Sequence, residues 1–343
     1  MSSNNINQIL SRNINNLEAK TPLFINLKHD SFIHEYLTQY SQTQLFCYNT
    51  NFEDYSLHLQ NNNIHCTFSA HYHTEKIHDL VIIAFPKSKA ELNFTLNMIS
   101  HATNADTKII IVGENKSGIK SIEKTTSNTL INCQKFDSAR HCLLFAANLL
   151  QNIPTFTLEN WYGYYDIEIN NIKIKVAALP GVFSQKGLDK GTRILLEHLP
   201  TIQNGNTLDF GCGAGVIASF IGKKHPEVTL NLLDVSALAL ESSRKTLELN
   251  NLNGNVFASN SLSEVKNKYD VIVSNPPFHQ GISTNYHATE SFLTGIKKHL
   301  HDKAHVFIVA NSFLKYEPIM KTAIGTTSRL VSEKGFTIYK CTI

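Results

Sequence analysis

The chain contains no glycine before Gly113. Close approach of backbone to a bound nucleotide-type ligand normally needs glycine, so a cofactor turn is excluded from the first half and must lie in the second. CxxC pairs are also missing. The six cysteines (Cys47, Cys66, Cys133, Cys142, Cys212 and Cys341) are scattered, with no compact histidine cluster beside them. This argues against both a disulfide framework and a metal site, and fits a reducing cytoplasm. The 16 histidines, including those between His71 and His78, lack ligand spacing and read as solvated surface residues. No stretch approaches the roughly 20 apolar residues of a membrane span, and the start, MSSNNINQILSRNINNLEAK, lacks a signal-like apolar core. Charge is sparse at 17%, with a formal balance of +3 and no long Lys/Arg run. A nucleic-acid partner is permitted by that balance and would need a local basic patch.

What is present suits two domains, since 343 residues exceed one comfortable core. The second half alternates strand and helix. Strands are predicted at Thr207 to Phe210, Val228 to Leu233, Tyr269 to Ser274, His305 to Ala310 and Phe336 to Thr342. Helices are predicted through about Lys224, over Ser236 to Asn250 and over Glu290 to His299. Apolar strands between amphipathic helices imply a largely parallel sheet covered on both faces. The first half has a weaker version of this rhythm, with strands at Gln44 to Tyr48, His65 to Ser69, Asp79 to Phe85 and Lys108 to Val112, and a helix over Lys89 to Ala102. HDLVIIAFPK (78–87) parallels YDVIVSNPPF (269–278), and TKIIIVGENKSG (107–118) parallels AHVFIVANSFLK (304–315), which suggests duplication of one α/β domain. The domains are placed at 1–155 and 165–343. The segment Gln151 to Asn171 joins them, and its aromatics Trp161, Tyr162, Tyr164 and Tyr165 read as packing residues rather than base-stacking ones.

TLDFGCGAGVIASFIG (207–222) is strand, glycine turn and helix, with Gly211, Gly213 and Gly215 allowing the backbone to turn beside a ligand. A dinucleotide site shares these mechanics, but an acid at the strand end favours S-adenosylmethionine. Asp209 can contact the ligand's ammonium directly or through water, whereas a pyrophosphate would be repelled. Asp234 ends the next strand and suits acceptance of two ribose hydroxyls. Val235 would flank the adenine. Asn260 lies where a loop could reach the adenine amine or cap a turn. Cys212 reads as a small turn residue, not a nucleophile.

The most specific signal is NPPFH (275–279), directly after YDVIVS. Two prolines end the strand and stiffen the loop. An exocyclic amine has its lone pair delocalised into the ring, so methylation gains from two acceptors that draw its nitrogen toward tetrahedral geometry. The side-chain oxygen of Asn275 and the carbonyl of Pro276 can supply them, Pro277 adds rigidity, and Phe278 can stack on the base. No strong general base is needed, so His279 is not assigned one.

The segments LPGVFSQKGLDKGTRILL (179–196), LDFGCGAGV (208–216), LLDVSALALESSRKTLELN (232–250), VFASNSLSEVKNKYDVIVSNPPFHQG (256–281) and IVANSFLKY (308–316) resemble the ribosomal RNA small subunit methyltransferase C family. VGENKSGIKS (112–121) and KFDSARHC (135–142) extend the resemblance into the first half. It implies duplicated Rossmann-like class I methyltransferase domains, with a seven-stranded, mostly parallel sheet in the C-terminal one and a degenerate N-terminal copy without cofactor. It also implies a cytoplasmic monomer that methylates the N2 amine of guanine 1207 in 16S rRNA, with assembled 30S subunits as substrate. Carried across, Asp209 to Gly215 and Asp234 are cofactor residues, and Asn275, Pro276, Pro277 and Phe278 are catalytic or base-holding. Gly181 to Leu188 would lie over the active site, with Phe183 and Lys186 as candidates for base or phosphate contact. Phe210 departs from the smaller β-branched residue expected there. Three other functions compete: guanine-N2 methylation of 23S rRNA, protein glutamine methylation, and a non-catalytic role in ribosome assembly. Phe278 in place of tyrosine argues against the glutamine substrate, and the intact motifs argue against the last.

Overall fold

Each half of the chain carries one seven-stranded sheet, and these two sheets share a strand order. The computed structural model describes residues 4–202, 205–276, 289, 291–314 and 316–343, and divides into Met1–Trp161 and Tyr162–Ile343. The first unit contains β1 (Leu23–Ile25), β2 (Leu45–Asn49), β3 (Ile64–Phe68), β4 (Leu80–Ala84), β5 (Lys108–Glu114), β6 (Leu130–Ala139) and β7 (Cys142–Leu149). They lie in the order β3-β2-β1-β4-β5-β7-β6. The second unit opens with a hairpin, β8 (Gly163–Ile169) and β9 (Ile172–Ala178). Its sheet comprises β10 (Asn206–Phe210), β11 (Thr229–Asp234), β12 (Asn255–Ala258), β13 (Tyr269–Ser274), β14 (Leu300–Asn311), β15 (Thr326–Glu333) and β16 (Phe336–Thr342). The order is β12-β11-β10-β13-β14-β16-β15, position for position that of the first. Strands β12 to β14 run parallel, and the closing β15–β16 hairpin joins β14 antiparallel. The paired segments of the sequence occupy matching places: β4 and β13 stand fourth, β5 and β14 fifth.

The central strands are continuous apolar runs because helices cover both faces. Leu208, Ile272, Val306 and Ile308 are fully buried in one cluster with Phe292 and Tyr339. Phe210 belongs to it too, its ring stacked on Phe292 at 3.8 Å between centroids, so the departure at this position is a packing choice. Two expectations are corrected. The joining segment does not run to Asn171, because Gly163–Ile169 is already strand. Trp161 packs within the first unit, edge-on to Phe94 and stacked near Phe156. Nor are the histidines uniformly solvated. His78 is fully buried between the Thr21 carbonyl (2.8 Å) and the Tyr72 hydroxyl (2.9 Å), and His58 is buried against the Leu27 carbonyl (3.1 Å). Burial lowers the pKa of both rings and favours their neutral forms.

The outer edge of β9 is satisfied by a helix instead of another strand. Ser242, Thr246 and Asn250 recur every four residues along and just past the helix Ala237–Leu249, which sets them on one face. Leu179 N–H donates to Ser242 Oγ (3.0 Å), Ala177 N–H to Thr246 Oγ1 (3.0 Å) and Lys175 N–H to Asn250 Oδ1 (3.1 Å). Asn250 Nδ2 returns a bond to the Lys175 carbonyl at 2.7 Å. Thr246→Val keeps the volume but strands the buried Ala177 N–H, so we expect a loss of about 1–3 kcal/mol in denaturant unfolding. An unchanged midpoint would mean that the edge finds another partner.

Candidate active site

Strand order reverses between β10 and β13, which are adjacent and parallel, with Phe210 in register with Ser274. Ligands of open α/β sheets bind in the crevice at the carboxyl ends of such strands. Both sequence motifs emerge there: the turn 211–215 follows β10, and Asn275 and Pro276 follow β13. The two strand ends are tied by Ser274 Oγ–H donating to the Phe210 carbonyl at 2.8 Å.

All three glycines of the turn adopt left-handed backbone, with φ of 73°, 52° and 75° at Gly211, Gly213 and Gly215. Their surroundings differ. A Cβ on Gly211 or Gly213 would meet nothing within 4 Å, leaving open space where a ligand can touch backbone. A Cβ on Gly215 would lie 3.0 Å from Ser243 Cα, so this glycine serves helix packing.

Asp209 is buried, and its Oδ2 accepts from Ala218 N–H at 3.0 Å. Thus it caps the helix Val216–Lys224, whose own N-cap position is Gly215 and carries no side chain. The other oxygen, Oδ1, is buried with no hydrogen-bond partner. Burial, with the nearby Asp234, pushes this carboxyl up to about 7. A cation at Oδ1 would relieve both deficits. Asp234 accepts from Gly213 N–H on Oδ2 (3.0 Å) and from Ser236 N–H on Oδ1 (2.9 Å). Each carboxylate oxygen can accept twice, so Asp234 keeps acceptor capacity for a pair of vicinal hydroxyls. Burial raises its pKa, and the backbone donors oppose that rise. Cys212 is buried, with its thiol pushed well above the ordinary range and bonded by Ser243 Oγ at 3.2 Å, an inert arrangement.

Asn275 is half-buried. Its Nδ2 donates to Thr192 Oγ1 at 2.8 Å and to Asp189 Oδ2 at 3.1 Å. Pro276 beside it is buried. Asp189 and Thr192 were not singled out from the sequence. Their signal was the spacing Asp-x-x-Thr before an apolar helical run, which reads as a helix start: Asp189 is indeed the N-cap of Lys190–His198. Pro277 and Phe278, with His279, lie outside the described residues. Val235 is half-buried after β11, and Asn260 is exposed beyond the edge strand β12. The turn there is organised by Ser259, whose hydroxyl accepts from Glu264 N–H and donates to the Ser261 carbonyl. Phe183, 57% exposed, and Lys186, also exposed, lie on the loop leading to Asp189.

The same places in the first sheet are filled differently. Ile25 pairs with Tyr48 as Phe210 does with Leu233, and Asn26 N–H reaches the Tyr48 carbonyl at 2.9 Å as Gly211 N–H reaches that of Leu233. Phe24 therefore stands for Asp209, Asn26 for Gly211 and Asn49 for Asp234. Asn26 keeps the left-handed backbone (φ 54°), but its side-chain oxygen is bonded by Thr50 N–H and Oγ1. Asn49 spends its Nδ2 on the Leu27 carbonyl, and Phe24 is core. The acid pair and the bare backbone are both gone.

Residues 173–340 match the family described as Methyltransferase small domain, and residues 7–165 match Methyltransferase small domain N-terminal. The fold and the site thus define a methyltransferase. Ribosomal RNA small subunit methyltransferase C of Colwellia psychrerythraea is 53% identical over 349 residues, spanning 99% of this chain and 98% of its own. That of Aliivibrio fischeri is 40% identical over 332 residues, spanning 97% of each. The chain belongs to the ribosomal RNA small subunit methyltransferase C family. The structure of T. thermophilus 16S rRNA N2 G1207 methyltransferase in complex with AdoMet and guanosine superposes with a TM-score of 0.85. It is 18% identical, covers 99% of this chain and 92% of its own, and shares the fold.

Proposed function

We propose that the protein transfers a methyl group from S-adenosylmethionine to the N2 amine of guanine 1207 in the 16S rRNA of the 30S subunit. The observation that carries this is the juxtaposition, on registered neighbouring strands, of the open glycine turn with Asn275 and Pro276. The names of relatives over 35% identical along nearly the whole chain support the nucleotide address. The two units are duplicated class I methyltransferase domains. The N-terminal one (1–155) is degenerate, and the C-terminal one (165–343) is catalytic. The protein acts as a cytoplasmic monomer, and no described helix is long and apolar enough to cross a membrane.

The residues present fit the methyl donor. Its ammonium answers the orphaned Asp209 Oδ1, its ribose the remaining acceptor capacity of Asp234, and its bulk the space above Gly211 and Gly213. When bound, the donor supplies a sulfonium-activated methyl group. Asn275 Oδ1 and the Pro276 carbonyl each accept one N–H of the guanine amine, turning its lone pair out of the ring plane. Positive charge builds on N2 as its bond to carbon forms, and these two oxygens stabilise it. N2 then sheds one proton to water, and a neutral N-methyl amine remains. Phe278 stacks on the base, Val235 and Asn260 border the adenine, and Phe183 and Lys186 meet the RNA.

Asp209 makes the binding pH-dependent. Its acid form is favoured in the folded protein, so its contribution to stability is greatest at low pH and declines as pH rises through about 7. A ligand ammonium at Oδ1 pulls that pKa down, so binding releases a proton. We expect affinity for S-adenosylmethionine to rise between about pH 5.5 and 7.5 in the wild type. In Asp209→Asn, titration calorimetry should show a flatter slope; identical slopes would remove Asp209 from the ligand.

Methyl-labelled S-adenosylmethionine, incubated separately with unmodified 30S subunits, naked 16S rRNA, 50S subunits and 23S rRNA, tests the whole proposal. Label as N2-methylguanosine at position 1207 of 30S subunits is the expected result. The same nucleoside only in 23S rRNA would move the address to the large subunit. No label in any RNA, despite donor binding, would overturn the RNA substrate.

A further inference from the structure

We infer that Asp189 and Thr192 are positioning residues that decide which end of the Asn275 amide faces the substrate, an inference resting on the acceptor role proposed for Asn275. The two ends of a primary amide are nearly equal in size and opposite in hydrogen-bonding sense. Presented oxygen first, Asn275 accepts from an exocyclic amine. Turned by 180°, it offers N–H to N–H and opposes binding. A rigid strand end places the amide but does not choose between these states.

The choice is made on the far side of the amide. Asp189 Oδ2, 3.1 Å away, can only accept when ionised, and Thr192 Oγ1, at 2.8 Å, accepts while its own hydrogen is directed to Asp189 Oδ2 at 3.5 Å. Both Nδ2 hydrogens of Asn275 are thereby used. Flipped, the amide would set its oxygen against a carboxylate and lose both bonds, so Oδ1 is left facing away from them. No hydrogen bond to Oδ1 is formed among the described residues.

Asp189 is itself held by the helix that it starts. The same Oδ2 accepts from Thr192 N–H at 3.0 Å, the N-cap bond of Lys190–His198. Gly191 supplies the room, since a Cβ there would lie 3.1 Å from Asp189 Oδ2 and 2.9 Å from the Phe336 ring. The anion also acts through the amide. Donation to a carboxylate from Nδ2 shifts electron density toward Oδ1, strengthening the acceptor as positive charge grows on the methylated nitrogen. Because the carboxylate stands behind the amide, it serves as an orienting group and not as the base.

Three variants separate this role from a structural one. Thr192→Val removes the hydroxyl at constant volume, and Thr192→Ser restores it. Asp189→Ser keeps an N-cap oxygen for Thr192 N–H but falls short of Asn275. Thr192→Val and Asp189→Ser should each lower kcat by about tenfold, the scale of one lost charge-assisted or buried bond. KM for the methyl donor and the melting temperature should stay near wild type, and Thr192→Ser should recover kcat. In an Asn275→Ala background, the Thr192→Val effect should disappear. A second readout needs no turnover. The Asn275 side-chain amide signal, assigned by its loss in Asn275→Ala, should show protons slow to exchange with water, and Thr192→Val should make them fast. Full kcat and unchanged exchange in Thr192→Val, with Asn275→Ala slow, would overturn this inference alone. An equal loss from Thr192→Val with and without Asn275 would overturn it too. Wild-type turnover by Asn275→Ala would instead remove the acceptor role and this inference with it.

Discussion

Asn275→Ala is expected to bind S-adenosylmethionine as the wild type does and to transfer its methyl group about 10²–10³-fold more slowly, the effect of deleting one preorganised group aimed at developing charge. The substitution spares the backbone that holds β13 in register with β10, and removes the acceptor together with the Nδ2 donor to Asp189 and Thr192. Guanine N2 should then keep its lone pair in the ring for longer along the reaction path, with the Pro276 carbonyl as the remaining partner in the proposed site. Single-turnover transfer to 30S subunits, beside calorimetric titration of the methyl donor, separates the two steps. Asn275→Asp should be no better. It restores an oxygen but sets a second carboxylate against Asp189 Oδ2, where a donor now lies at 3.1 Å. A variant without the amide that turned over at the wild-type rate would take the chemistry away from the loop after β13.

Asp234→Ala is expected to cripple donor binding instead. Two hydrogen bonds to a charged acceptor are lost, each worth about 1.5–3 kcal/mol, so the dissociation constant should rise by roughly 10²–10⁴-fold. Gly213 and Ser236 lose their acceptor at the same time, which loosens the turn that faces the ligand. Asp234→Asn keeps one oxygen and should fall between, about tenfold weaker than wild type. Calorimetry, with circular dichroism to establish folding, reads the result. Wild-type affinity in a folded Asp234→Ala protein would place the ribose elsewhere.

Most strands read from the sequence are central and buried, although the partly exposed edge strand β3 was read as well and the buried β7 was not. Tyr269–Ser274 and Phe336–Thr342 appear with the bounds expected, because each concentrates β-branched and aromatic residues. β1 has three residues, and its neighbours are polar, so no periodicity marks it. β12 and β15 are edge strands with half-exposed patterns, which resemble loop composition. β9 was hidden for a different reason: the bonding of its outer edge to the helix side chains at 242, 246 and 250 depends on residues more than 60 positions away, and β8 pairs with β9 alone. The glycine turn and Asn275 were legible as candidates because each sits in a local motif with recognisable chemistry. The orientation of the Asn275 amide was not, since Asp189 lies 86 residues upstream and looks like an ordinary helix cap. Likewise, the lack of early glycine was legible, but the refilling of that vacated turn by Asn26, Thr50 and Asn49 needed the register of β1 on β2.

The repeated strand order has a kinetic side. While the chain folds, every strand of one sheet has two places of suitable polarity and neighbours, one native and one belonging to the other half. Parallel sheets assemble slowly, because each pairing waits for a crossover to close, and that delay leaves time for a misplaced strand to dock. Divergence between the halves then acts as proofreading. The three-residue β1 leaves much of the six-residue partners of β10 unpaired, and Phe24 brings an aromatic ring where the other core accommodates a capping carboxylate. Divergence of the first half thus also keeps the two nuclei from exchanging parts, and a chain engineered to make the halves alike would be prone to swapped and aggregated forms.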